Sequence, residues 1–320
     1  MSKDRSRGSD PLVSIVVPCL NRAHLLAPTL DSILQQDYPN LECFVVDGGS
    51  TDDTLDILRR YGNRIRWISE RDHGHADAIN KGWKMSHGEI LAWLNADDCY
   101  VLPGAVREAV SSFQKHPEAD LIYGDYVETD RNGNVISDVI KPSPWNLMAA
   151  VKYCRHIIPQ PSSFMRRGIL EKVGWLDPEF PNGKDHELWL RIGRVGSIKY
   201  IPVLLASARQ CPGLTQDVSM AEAVVRLTKK FFSAPGLPPP FDSKSFRRRA
   251  MSNAYLTGGE HAWRGRHLKT AFQCFIKAIK TDPLNAPYLL MRGSTTAVAT
   301  DLPKGLKTTL RRILGITRRT

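Results

Sequence analysis

Apolar residues in the first hundred positions of this chain follow two alternating periods. "LVSIVVP" (12–18) is a β-branched run closed by proline, and "LECFVVD" (41–47), "RIRWIS" (64–69) and "EILAWLN" (89–95) repeat the short apolar block. Between the blocks the spacing lengthens: Leu26, Leu30, Ile33 and Leu34 fall on one helical face within His24–Gln36. A second helix is expected to run to Tyr61. Ser50, Asp52 and Asp53 suit its first turn, because carboxylates favour the positive end of a helix dipole. A third helix is expected around Asp77–Met85. Strands separated by helices of this length predict a parallel sheet with right-handed crossovers.

After Asp98 the pattern changes. Pro103–His116 reads as helix, and "LIYGDYVETD" and "NVISDVIK" read as strands flanking a hairpin turn at Arg131–Asn132–Gly133. Residues 141–163 read as irregular, followed by a short helix near Arg167–Val173 and a helix in "KDHELWLRIGR" that opens with acids. "PGLPPPFD" (235–242) is expected to form a stiff boundary. Residues 245–290 look helical, and "AWRGRHLKTAFQCFIKAIKTDPLNA" resembles one tetratricopeptide-like helix pair, with Ala271 and Ala278 as small packing residues. A lone pair cannot build a solenoid, so it is expected to pack on the rest of the chain or on a partner. Finally, "LPKGLKTTLRRILGITRR" (302–319) sets Leu306, Leu310, Ile313 and Leu314 on one face and Lys307, Arg311 and Arg312 elsewhere. A helix lying on an anionic membrane and a solvated helix both fit that pattern.

Composition narrows the classes. A chain of 320 residues with 42% hydrophobic content suits one large α/β domain and a smaller appendage. No run of eighteen apolar residues occurs, and "MSKDRSRGSDP" lacks the apolar core of a secretory signal. The six cysteines are scattered without a C-x-x-C, which favours a reduced, cytoplasmic setting over a disulfide framework or structural zinc. The net charge of +11 divides unevenly. Residues 221–320 hold 19 Lys and Arg against 5 Asp and Glu, whereas residues 1–220 hold 25 against 28. The basicity belongs to the tail, so a nucleic-acid-binding core is disfavoured and no nucleic-acid partner is expected.

Chemistry should gather where strands end. In an open parallel sheet, ligands bind beyond the carboxyl ends of the strands, at the switch in strand order. Three strands finish in polar or turn-forming residues: Pro18–Asn21, Asp47–Ser50 and Asn95–Asp98. Neither G-x-G-x-x-G nor G-x-x-x-x-G-K-[ST] occurs, which disfavours a dinucleotide cofactor and a P-loop. Asp47 fits two roles, a hydrogen-bond acceptor for a base or ribose and a cap for the next helix. Asp97 and Asp98 form the stronger signal. Adjacent carboxylates repel, and beside a buried strand their desolvation is costly, so such a pair calls for a cation or donors. Hard carboxylate oxygens suit Mg²⁺ or Mn²⁺, which usually complete their shell with substrate phosphates.

"VSIVVPCLNR", "FVVDGGSTDDT", "DHGHADAINKGW", "GEILAWLNADDCY" and "DHELWLR" follow one another as in family 2 glycosyltransferases of the GT-A fold. The chain most resembles the non-processive bacterial branch with a D-G-G-S-T-D motif, over roughly residues 11–215. The resemblance implies a nucleotide-diphosphate sugar donor, a divalent cation (Mn²⁺ or Mg²⁺) and inversion at the anomeric carbon. It implies that Asp98 ligates the metal and that Asp97 meets the ribose or donor sugar. Pro18, Asp47, Asp77 and Asn80 would line the nucleoside pocket. The catalytic base would be Asp185, at the start of "KDHELW". Glu187, the other acid there, is a candidate acceptor contact, but it lies roughly 200° around a helix, so both acids cannot face one substrate. Both acids also suit a structural role at the helix dipole.

"PQPSSFMRR" (159–167) matches a family loop, which makes Gln160 and Ser162 candidate sugar contacts, with an ordinary proline-bounded turn as the other reading. Trp145, Trp175 and Trp189 are candidates for stacking on sugar rings or for the core. The chain also departs from the family. Asp47–Gly48 stands where paired acids are common, Leu20 where a tyrosine is, and Lys184 where a glutamate often precedes the base. An arginine-x-histidine element appears as Arg209–Gln210–Cys211, in which Arg209 remains a candidate for the donor diphosphate while a thiol suits a hard metal poorly.

The expected organisation is therefore a disordered stretch at 1–10, a GT-A α/β domain at 11–220 and a basic helical extension at 221–320. The expected activity is transfer of a sugar to a glycan or lipid-linked acceptor in cell-envelope polysaccharide biosynthesis, at the cytoplasmic face of the membrane. Two rivals stand beside it. A nucleotidyltransferase would share the sheet and the carboxylate–metal chemistry but normally has a phosphate loop after the first strand. A non-catalytic sugar-binding scaffold would not need intact acids at 47, 97, 98 and 185.

Overall fold

The computed structural model describes residues 10–210 and 218–285. Of the stretch 1–10 expected to be disordered, residues 1–9 lie outside the described residues, as do Cys211 and the amphipathic segment 302–319. The described residues divide into two compact units, one within Met1–Leu147 and His156–Cys211, the other within Met148–Arg155 and Pro212–Thr320.

The first unit is built on an eight-stranded mixed sheet. Its strands are β1 (Val13–Cys19), β2 (Leu41–Asp47), β3 (Arg66–Ser69), β4 (Ile90–Trp93), β5 (Cys99–Tyr100), β6 (Leu121–Thr129), β7 (Ser163–Arg166) and β8 (Ile198–Arg209), in the spatial order β3-β2-β1-β4-β7-β6-β8-β5. The expected parallel block is present: β1 pairs in parallel with β2 and β4, and β2 with β3. The chain moves outward from β1 to β3 and then returns to place β4 on the other side of β1. That return is the switch in strand order, and the ends of β1, β2 and β4 share one edge of the sheet. Helices α1 (Ala23–Leu34), α2 (Thr54–Tyr61) and α3 (His75–Met85) supply the crossovers, and α4 (Ala105–Lys115) links β5 to β6.

Every residue of β1 is buried, because both faces of the parallel block are covered. Val13, Ile15 and Val17 share one core cluster with Leu26, Leu30 and Ile33 of α1. On the other face α3 lies very close. A Cβ on Gly82 would meet the Val16 side chain at 2.5 Å and that of Val46 at 3.2 Å, so only glycine permits this approach.

The second half of the sheet departs from the sequence reading. The hairpin turn forms, with Gly133 at φ +88°, but its returning arm makes only two antiparallel bridges, at Val135 and Ile140. The principal partner of β6 is instead β8, in parallel over most of its length. Neither β7 nor β8 stood out in the sequence. The first has four residues, and the second carries Pro202 and no clean alternation of burial. Within 141–163, expected to be irregular, a short helix α5 (Leu147–Tyr153) and a 3₁₀ turn (Gln160–Ser162) form. Helix α6 (Arg167–Val173) follows, and α7 (Lys184–Val195) opens with the predicted acids.

The second unit contains α8 (Val218–Ser233), α9 (Lys244–Arg264) and α10 (Leu268–Thr281), so the proline-rich 235–242 falls inside it. Ala271, Phe275 and Ala278 of α10 pack with Leu256 and Ala262 of α9 and Ala221 of α8. Gly258 and Gly259 allow both neighbours to approach α9: a Cβ would lie 2.8 Å from the Ala221 carbonyl oxygen or 2.5 Å from the Phe275 ring. Among the described residues no helix is long and apolar enough to cross a membrane.

Candidate active site

The loops after β1 and β2 are stitched to each other. Gly48 N–H donates to the Cys19 carbonyl (2.8 Å), Asn21 N–H to Ser50 Oγ (2.7 Å) and Thr51 N–H to Asn21 Oδ1 (2.8 Å). Asp52 accepts from Ala23 N–H at 3.1 Å and so ties the start of α1 to the loop before α2. Asp47 is at the centre of this lattice and is fully buried. Its Oδ2 accepts from Gly49 N–H (3.1 Å), Ser50 N–H (3.0 Å) and Ser69 Oγ (2.6 Å), and its Oδ1 from Ser50 Oγ. It therefore holds its own loop, and the N-cap of α2 is Asp53 instead. Gly49, at φ +88°, supplies the left-handed turn that this loop needs. Pro18 is buried in β1 and paired with Val46.

The end of β4 is different. Asp98 is 5% exposed, and its carboxylate accepts from Asn95 Nδ2 (2.8 Å) and Arg209 N–H (3.0 Å). Burial, and then the charge of neighbouring Asp97, push its pKa up to about 7. A buried acid held that far above its ordinary value is destabilised as an anion, and a cation would relieve it. Among the described residues no group of three or more His, Cys, Asp or Glu is arranged to hold a metal. A carboxylate pair therefore fits a divalent ion only where substrate phosphates complete the shell, as is usual for Mg²⁺. Arg209 closes the same loop from β8, its Nε donating to the Asp97 carbonyl at 3.2 Å. Gln160 joins from the 3₁₀ turn, donating to the Trp93 carbonyl (2.7 Å) and accepting from Asn95 (3.1 Å). Ser162 does not reach this cluster: it is fully buried and donates to the Gly124 carbonyl at 2.9 Å.

Helix α3 brings three polar residues with separate partners. Asp77 accepts from His73 N–H at 3.0 Å and pairs with Lys81 at 3.3 Å; the first bond is the main cause of its lowered pKa. Asn80 is clamped to the backbone of Leu176, donating at 2.8 Å and accepting at 3.0 Å, so both ends of its amide are engaged. His75, not singled out in the sequence, hydrogen-bonds Asn95 and feels the charges of Lys184 and Asp185. Desolvation, then Lys184, pull its pKa down to about 4. The chain of contacts Asp98–Asn95–His75 thus leads to the start of α7.

There Asp185 and Glu187 part company. Asp185, one-fifth exposed, lies 2.9 Å from Nε2 of the half-exposed His156. Burial works to raise its pKa, but His156, the His186 N–H and Lys184 together hold it well below the usual carboxylate range. Glu187 is buried against Arg191, whose Nε and Nη2 both reach it, the latter at 2.7 Å. Arg191 in turn binds the carbonyls of Val173, Gly174 and Trp175, so the Glu187–Arg191 pair braces a loop. The tryptophans are packed too: Trp189 stacks on Trp93 (5.7 Å), Trp175 tilts against Trp83 (6.2 Å) and Trp145 lies over Gly193. Sequence reasoning missed Asn95, His75 and His156. The first two stand inside quoted motifs, while His156 lies in a stretch without periodicity.

Comparison with known proteins bears on this arrangement. The family model for glycosyl transferase family 2 matches residues 14–174, a span that ends before α7. An uncharacterized glycosyltransferase of Rickettsia bellii is 31% identical over 207 residues, covering 62% of this chain and 30% of the relative. The chain thus spans about a third of that relative's length. A PGL/p-HBAD biosynthesis glycosyltransferase of Mycobacterium bovis is 29% identical over 226 residues, covering 68% of this chain and 84% of the relative. Among solved structures, the mannosyltransferase PcManGT of Pyrobaculum calidifontis, in complex with GDP-Man and Mn²⁺, aligns with a TM-score of 0.61. It is 24% identical, and the alignment covers 95% of this chain and 85% of that one, a likeness of GT-A fold.

Proposed function

The chain belongs to glycosyl transferase family 2, and from that premise we propose that it is an inverting, metal-dependent transferase that uses a nucleotide-diphosphate sugar. The observation that carries this reading is Asp98, buried beside a second acid and pushed up to about 7 at the carboxyl end of β4. The GDP-Man and Mn²⁺ bound to the mannosyltransferase of like fold support it.

In this reading Asp98, with Asp97 beside it, would hold Mn²⁺ or Mg²⁺ together with the donor's phosphates, and Arg209 keeps their loop in place. The bound cation would neutralise charge developing on the departing diphosphate. Asp47 acts indirectly, by fixing the loops after β1 and β2 that flank the nucleoside, with Pro18 and Asp77 at that edge. Gln160 orients Asn95 and the donor-sugar side of the cleft. Asp185 takes the proton of the acceptor hydroxyl while its oxygen attacks the anomeric carbon in line. The bond to the diphosphate then breaks on the opposite face, which inverts the configuration.

The acceptor is a glycan or lipid-linked molecule of the cell envelope, a reading supported by the named pathway of the mycobacterial relative. Attachment to an anionic membrane through 302–319 is part of the proposal. Within the second unit, Lys269, Lys277 and Lys280 flank the half-exposed Ile276 on the outer side of α10, in keeping with such a surface.

A panel of nucleotide sugars with Mn²⁺ and Mg²⁺ tests the core of the proposal, scored by donor hydrolysis and thermal shift. A true donor at a hundredfold excess over its Kd stabilises the fold by about 2.7 kcal/mol. If no nucleotide sugar gives a metal-dependent shift, the reading fails.

A further inference from the structure

His156 stands outside every motif that identifies the family, yet its Nε2 is 2.9 Å from Asp185 Oδ2. It follows Cys154, a non-glycine residue at φ 50°, in a stretch without regular structure. Asp185 is positioned from the other side by the opening of α7. Gly183, at φ 74°, turns the chain into the helix, and the His186 N–H bonds the Asp185 side chain. The carboxylate is therefore held at two points, one of which is a titratable ring with nearly half of its side chain exposed.

Resting on the glycosyl-transfer reading above, we propose that Asp185 acts as half of a carboxylate–imidazole dyad with His156 as its positioning residue. The ring holds the carboxylate in place, and its charge state sets how strongly Asp185 takes the acceptor's proton.

An imidazolium in contact with a carboxylate stabilises the anion and so weakens it as a base. Once the ring is neutral, its Nε2–H still donates, but the electrostatic hold is gone. Asp185 then keeps its orientation and gains basicity, and proton transfer is most efficient when the pKa of the base approaches the working pH. Burial works to lower the His156 pKa, but Asp185 outweighs it and raises it above the ordinary 6.5. The two neighbouring histidines are both held well below that value. Burial, then the His156 charge, pull His186 down to about 3, and its ring lies 5.4 Å from that of His156. His75 is pulled down to about 4, while Lys184 is lowered by burial from 10.5.

With the ring neutral, the acceptor's O–H proton passes to Asp185 as the oxygen bonds to the anomeric carbon. The carbon–oxygen bond to the diphosphate breaks, and its electron pair leaves with the diphosphate. Asp185 returns the proton to solvent after the product departs.

The test joins an NMR titration of the His156 ring to pH–rate profiles of three proteins. In the wild type the ring should titrate above 6.5, and Asp185→Asn should bring that value down. At saturating metal and donor, which hold Asp98 as its anion, turnover should rise with pH through the same ionisation. His156→Gln, which keeps a donor facing Asp185, should abolish that rise yet remain active at high pH. His156→Ala, which leaves the carboxylate unheld, should lose roughly a hundredfold at every pH, the usual result of small misplacement. Nucleoside diphosphate binding should be unchanged in both variants. A ring that titrates at 6.5 or below, or ignores Asp185→Asn, overturns the pairing whatever the substrate proves to be. A pH rise that persists in His156→Gln overturns the control of basicity, and weakened nucleotide binding in it would assign His156 to the donor site instead. Absence of nucleoside diphosphate binding in the wild type would sink the functional reading, whereas the ring titration alone decides the pair.

Discussion

Strands β2 and β4 lie on either side of β1, point the same way and both run into acids, yet their carboxyl ends are opposites. The acid after β2 is sealed. Asp47 has no exposed surface, and its four hydrogen bonds all come from the loop it opens and from Ser69 of β3. The acid after β4 is left in deficit. Asp98 is nearly as buried and has a second carboxylate beside it, and its two accepted bonds do not offset this, so it is pushed up to about 7. Helix α7 repeats the contrast within one turn, with Glu187 closed by Arg191 and Asp185 at an exposed imidazole. A carboxylate whose acceptors are all filled shapes the site; one whose needs are unmet is where a cation or a proton can enter.

Exchange of single acids should separate the two kinds. Asp185→Asn removes the proton acceptor and should cut turnover by roughly 10²–10⁴ with donor affinity unchanged, read by steady-state kinetics and calorimetry. Glu187→Gln should cost turnover far less, and a reversal of the two would make Glu187 the base. Asp98→Asn should remove the Mn²⁺ enhancement of nucleoside diphosphate binding. Such a contact is worth several kcal/mol, so a loss of about a hundredfold or more is expected by calorimetry. Full retention of the metal effect would put the ligand elsewhere.

Asp47→Asn should act on stability instead. An amide cannot accept from all four donors, and bonds to a charged group are worth about 1.5–3 kcal/mol, so chemical denaturation should show a loss in that range. A change confined to nucleotide affinity would break the contrast. The smallest effect concerns pH. The depressed pKa of Asp185 contributes stability that is complete above its ordinary 3.8 and lost as pH falls through the folded value. The raised pKa of His156 contributes stability that is complete below 6.5 and lost as pH rises through the folded value. The difference in Tm between wild type and Asp185→Asn should therefore be greatest between those two ordinary values and shrink on the alkaline side.

Periodicity and strand-end chemistry in the sequence determined the parallel block β1–β4, its helices, the placement of Asp97–Asp98 after β4 and the acid-led start of α7. These follow from local preferences and from apolar runs long enough to be buried on both faces. Only the tertiary structure decided the rest. The pairing of β6 with β8 joins segments whose own patterns are weak, and β8 gains its identity as a strand from a partner more than seventy residues away. The division of labour among the polar residues was equally hidden. Asn80 and Leu176, Asp98 and Arg209, and Asp185 and His156 are linked across 96, 111 and 29 residues. A residue's type states which bonds it is able to make. Which of them are made, and so whether an acid is sealed or left in need, depends on neighbours that only folding brings within hydrogen-bond reach.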